Sequence, residues 1–112
     1  MHPKVQRVID YTNANLHRKL DLINLGRLAG LSRSRLCYVF KNEMGISLGK
    51  YLKAQRMQKA RELLERTSLN AKEVAAAVGM RDQSHFSKDF KRTYDLTPLQ
   101  YRAQFFTNDQ EE

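Results

Sequence analysis

Leu25-Gly26-Arg27-Leu28-Ala29-Gly30-Leu31 and Val74-Ala75-Ala76-Ala77-Val78-Gly79-Met80 follow one pattern: at an offset of 49, apolar, small and glycine positions coincide. After one inserted residue the offset becomes 50. Leu36 then meets Phe86, Phe40-Lys41 meets Phe90-Lys91, Ile46-Ser47 meets Leu96-Thr97, and Tyr51 meets Tyr101. One structural unit therefore occurs twice. Each copy reads as a short helix, a glycine turn, a capped second helix and the start of a third.

Outward from the repeat, apolar residues recur at spacings of three and four and never alternate over a useful length, which predicts an all-α chain of about seven helices. A first helix is expected from Pro3 to His17, with proline in its first turn. Asp21 caps the helix that Gly30 closes, and Ser32 caps one that stops at Gly45. Ser47 opens the longest helix, to about Arg66, with Lys50, Lys53, Arg56 and Lys59 outward. Asn70 with Glu73, and Thr97 with Gln100, have capping-box spacing; Asp82 caps the helix between them. The expected layout is a first subdomain over 1–46, a linker helix over 47–66, a second subdomain over 67–106, and a disordered polar tail over 107–112.

The 112 residues suit one domain in two lobes. Lys and Arg outnumber Asp and Glu by 20 to 12, a formal net charge of +8, and three of the acids lie in the last four residues. So basic a body favours a polyanionic partner, although a merely solvated charged face gives the same count. Cys37 is the only cysteine, which excludes an intrachain disulfide and a cysteine-pair metal site and suits a reducing cytoplasm. His2, His17 and His85 are too scattered for a metal cluster, so no metal and no cofactor is expected. No apolar run is long enough to span a membrane.

A three- or four-residue turn containing Gly, with the second helix set steeply to the first, is the helix-turn-helix layout. Any small bundle needs such turns; the duplication and the second helices' faces carry more weight. Opposite Leu36 and Phe40 lie Ser34, Tyr38 and Lys41, flanked by Arg35 and Cys37. Opposite Phe86 and Phe90 lie Ser84, Lys88 and Lys91, flanked by Gln83, His85, Ser87 and Arg92. Basic, hydroxyl and amide groups of this kind reach phosphates and base edges in a major groove. Cys37 could suggest a methyl acceptor, but no His, Asp or Glu lies close enough in sequence to activate it, and the chain is not read as an enzyme.

The stretch from Glu73 through Gly79, Phe86, Phe90, Thr97-Pro98 and Tyr101 to Arg102 resembles the signature of the AraC/XylS family of transcription regulators. Leu28 to Lys41, with Gly45 and Tyr51, resembles that family's first unit. The likeness covers about residues 5 to 105. It departs at Asp95 and Gly26, where glycine and alanine are usual, at Met80 for a common phenylalanine, and at His85 for a frequent tyrosine. The resemblance implies a sequence-specific regulator that binds duplex DNA, with the long helix as spacer and RNA polymerase as a further partner. It implies base reading by Ser34, Arg35, Cys37, Tyr38, Gln83, Ser84 and Lys88. Phosphate contacts are expected from Arg33, Lys41, His85, Ser87, Lys91, Arg92 and Arg102, the last equally a partner of a helix end. A monomer on an asymmetric site of about 20 base pairs is expected. The chain reads either as a complete regulator or as the C-terminal part of a larger one.

Overall fold

The computed structural model describes residues 1–111, with side chains through 106. Among the described residues there are seven helices: α1 (Pro3–Ala14), α2 (Leu22–Ala29), α3 (Arg33–Met44), α4 (Leu48–Arg66), α5 (Ala71–Ala77), α6 (Gln83–Tyr94) and α7 (Pro98–Glu111). The all-α expectation holds. The chain divides into two compact units, residues 1–55 and 56 onward, and α4 contributes to both. The expected disorder of the tail over 107–112 falls on side chains, and at 112 on a residue, outside the described ones.

In the first unit, Val5, Val8 and Ile9 of α1, Leu25 and Ala29 of α2, Leu36 and Phe40 of α3, and Leu48 and Leu52 of α4 form one apolar cluster. Tyr51 sets its ring edge-on to Phe40, with centroids 5.4 Å apart. α1 is shorter than expected: Asn15 ends it, donating from Nδ2 to the Tyr11 carbonyl at 2.8 Å. Buried Thr12 fits that helix because its hydroxyl donates to the Ile9 carbonyl at 3.1 Å. Asp21 and Ser32 cap α2 and α3 as expected, and Gly30 and Gly45 close them at φ 71° and 80°.

At Gly26 the turn leaves no room for a side chain. A methyl placed there would lie 2.5 Å from the Leu31 carbonyl oxygen, and the Leu31 N–H donates back to the Gly26 carbonyl at 2.7 Å. Gly30, Leu31 and Ser32 form the whole connection from α2 to α3, so the turn folds tightly over the helix it leaves. In the second unit the matching contact, Met80 N–H to the Ala75 carbonyl at 2.8 Å, tolerates the buried Ala75 methyl. There the connection from α5 to α6 carries the inserted residue.

The second unit packs Met57, Ala60 and Leu64 of α4 against Val74, Ala75, Val78, Phe86 and Phe90. Truncating any of these phenylalanines, both 0% exposed, would cost about 3–5 kcal/mol. Both expected capping boxes form, at Asn70/Glu73 and Thr97/Gln100, as does the Asp82 cap. Asp95 ends α6 in the left-handed region at φ 67°, with its N–H on the Lys91 carbonyl at 2.7 Å, so the turn survives without glycine. One expectation fails on α4. Arg56 turns inward rather than outward, its Nε donating to the Val78 carbonyl at 3.1 Å, and burial pushes its guanidinium pKa down.

Candidate nucleic-acid interface

Each unit presents the second helix of its pair with one face buried and the other open. On α3, Leu36 and Phe40 turn into the core, so helical periodicity leaves Arg33, Ser34, Arg35, Tyr38 and Lys41 exposed and Cys37 half-buried. The Ser32 hydroxyl accepts from the Arg35 N–H at 3.1 Å and fixes the first turn of α3. The Arg35 guanidinium then lies 5.4 Å above the Tyr38 ring, one turn along. The structure therefore brings these two proposed base readers together. Cys37 lines a shallow hollow with Tyr38, Lys41, Asn42 and Gly45.

On α6, Phe86 and Phe90 are inward, Gln83, Ser84, His85, Lys88, Lys91 and Arg92 are exposed, and Ser87 is half-buried. Asp82 accepts from the N–H groups of Ser84 and His85 at 2.9 and 3.1 Å, placing a carboxylate at the positive end of the helix. Sequence reasoning missed Asp89, a buried acid on this helix with His85 Nε2 3.3 Å away and Arg92 Nη1 3.4 Å away. The repeat held the signal, because the offset of 50 pairs Asp89 with Val39, an apolar residue.

Arg102 does not join the α6 face. Its Nε donates to the Leu64 carbonyl and its Nη2 to the Thr67 carbonyl, each at 3.1 Å, so its guanidinium caps the C-terminal end of α4. The helix-end reading, rather than the phosphate reading, describes this geometry. Beside it the Tyr101 hydroxyl donates to Glu65, and burial first, then that carboxylate, pushes the phenol up to about 12. Among the described residues no group of three or more His, Cys, Asp or Glu is placed to hold a metal ion. No helix among them is long and apolar enough to cross a membrane.

Two helix pairs with open, basic second helices now have a counterpart among known proteins, since residues 25–104 match the helix-turn-helix domain family. The chain belongs to the AraC/XylS family of helix-turn-helix transcription regulators. It is similar to the HTH-type transcriptional regulator MtrA of Neisseria gonorrhoeae, 35% identical over 103 residues that make up 89% of this chain and 32% of that protein. Among solved structures of the AraC type, a transcriptional regulator from Chromobacterium violaceum gives a TM-score of 0.84 at 30% identity, over 92% of each chain. The DNA-binding domain of AdpA, a global transcriptional factor in complex with a target DNA, gives 0.91 at 26% identity over 97% of this chain and 98% of that one. The chain spans about a quarter to two-fifths of the length of the curated relatives it matches.

Proposed function

We propose that this AraC-type chain binds duplex DNA sequence-specifically at promoters and regulates transcription, with α3 and α6 as its two recognition helices. The observation that carries the proposal is the same arrangement found twice. In each unit the helix after the turn buries two large apolar side chains, Leu36 and Phe40 or Phe86 and Phe90, and opens a face of cations, hydroxyls and amides. Arg35, Lys88 and Gln83 have the donors that pair with guanine or adenine edges in a major groove, with Ser34, Cys37, Tyr38 and Ser84 beside them. Arg33, Lys41, His85, Ser87, Lys91 and Arg92 then serve the phosphates.

One chain carrying both helices is proposed to cover successive major-groove segments of an asymmetric site of about 20 base pairs as a monomer. RNA polymerase is the protein partner that goes with a promoter site, and the cytoplasm the place of action. The test compares a site selected from random sequence with an unselected duplex. Lys91→Ala should weaken both alike and reduce the salt slope by about one unit, whereas Lys88→Ala should cost about 1–3 kcal/mol mainly on the selected site. Equal proportional losses from both variants would refute this placement of α6.

A further inference from the structure

Among the described residues, Thr12 and Asp89 are the buried polar side chains, and only Asp89 carries a charge. Taking a carboxylate out of water is unfavourable unless cations or donors compensate it. Asp89 has such partners on its own helix: Oδ2 is 3.3 Å from His85 Nε2, and Oδ1 is 3.4 Å from Arg92 Nη1. The partners' side chains are 66% and 73% exposed, while that of Asp89 is 4% exposed. The acid therefore lies beneath the open face of α6 and holds the His85 imidazole and the Arg92 guanidinium from below.

Packing alone does not call for an acid here. The same slot of the first unit holds Val39, packed against that unit's core, so hydrocarbon suffices to build this kind of helix pair. A negative charge close under a face that meets phosphates is repelled by them. What the carboxylate does provide is fixed geometry. A guanidinium on an untethered side chain adapts to whatever phosphate is near and binds any sequence. Once tied through Nη1, it offers its remaining N–H groups from one place. Only a duplex whose backbone passes that place, as sequence-dependent shape dictates, meets it.

We infer that Asp89 is a positioning residue that sets the specificity of the second recognition helix, by fixing the His85 imidazole and the Arg92 guanidinium against defined phosphates. The inference rests on the proposed DNA-binding function.

The test measures affinity for a selected site and for an unselected duplex of equal length. Wild-type protein is measured first: if it does not distinguish the two duplexes, the proposed function fails and takes this inference with it. Given discrimination, Asp89→Asn keeps the side chain's shape and removes its charge. Binding to the unselected duplex should tighten and its salt slope steepen by about one unit. The selected site should gain less or lose, so that the specificity ratio falls by about three- to tenfold. Arg92→Lys keeps the charge at an exposed position without the planar fork, and should lower the ratio in the same direction. In a His85→Gln, Arg92→Ala background, Asp89→Asn should produce a much smaller fall than in the wild type. Equal proportional changes on both duplexes for Asp89→Asn would reduce the acid to a net-charge or stability effect and overturn the inference. So would an Arg92→Lys protein with the wild-type ratio. Should Asp89→Asn lose its helical circular dichroism, Arg92→Lys decides alone.

Discussion

Gly26→Ala sets two known effects against each other at one position. Helix propensity alone favours alanine inside α2 by about 1 kcal/mol. Against this, the new methyl carbon would lie 2.5 Å from the Leu31 carbonyl oxygen and 3.4 Å from the Ser32 carbonyl carbon. Comfortable contact needs about 3.5 Å, so backbone must move by about 1 Å. That backbone cannot move freely, because the Leu31 N–H is bonded to the Gly26 carbonyl at 2.7 Å. Overpacking of this kind costs about 1–3 kcal/mol, and weakening the hydrogen bond adds about 0.5–1.5. After the propensity gain is subtracted, a net loss of about 1–3 kcal/mol remains. At about 4 °C per kcal/mol for a domain of this size, the thermal midpoint followed by circular dichroism should fall by roughly 4–12 °C. Gly49→Ala is the matched control. Nothing lies within 4 Å of a methyl there, and the substitution should stabilise by about 0.4–1 kcal/mol. If Gly26→Ala stabilises as Gly49→Ala does, the steric reasoning is wrong.

Arg102→Ala strips two charge-assisted bonds from the end of α4, where the site is part-buried, and should cost about 1.5–3 kcal/mol in chemical denaturation. Its salt slope on DNA should stay that of the wild type; a drop of about one unit would return Arg102 to the phosphates. The Tyr101 phenol titrates near 12 in the folded chain against an ordinary 10.0, so the folded state holds its proton more tightly. The resulting stability is complete below pH 10 and is lost as pH rises toward 12. Denaturant melts across that range should show the decline, and Tyr101→Phe should make it shallower without removing the part due to Tyr94, whose phenol is also pushed up by burial.

The elements legible in the sequence were those fixed by neighbours a few residues away. Gly30, Gly45 and Gly79 all take positive φ, and the Asn70/Glu73 and Thr97/Gln100 boxes close as their spacing implies. The buried faces of α3 and α6 followed from the three-four spacing of Leu36 with Phe40 and Phe86 with Phe90. Long side chains that fold back onto distant backbone were not legible. Arg56 sits among lysines on a polar stripe, and only the packing of α5 beside α4 brings the Val78 carbonyl within its reach. Asp89 was not legible because acids default to the surface, and nothing in the spacing marks that His85, one turn before it, and Arg92, three residues after it, come within reach of its buried carboxylate. Nor was the need for glycine at position 26 legible, because the atom it makes room for, the Leu31 carbonyl oxygen, is brought there by the path of its own turn.

The two turns also bear on how either unit could change by single mutations. In the first unit a short connection of three residues goes with glycine at position 26; in the second, a connection of five residues, which carries the one residue inserted in the repeat, goes with alanine at position 75. Turn length and side-chain size are thus epistatic. Deleting one residue between α5 and α6 should be tolerated only in an Ala75→Gly background, and Gly26→Ala should become harmless only once the first turn is lengthened. A path between the two forms that begins with the methyl passes through a strained intermediate. One that begins with the inserted residue does not, so length would have to change first and side chain second.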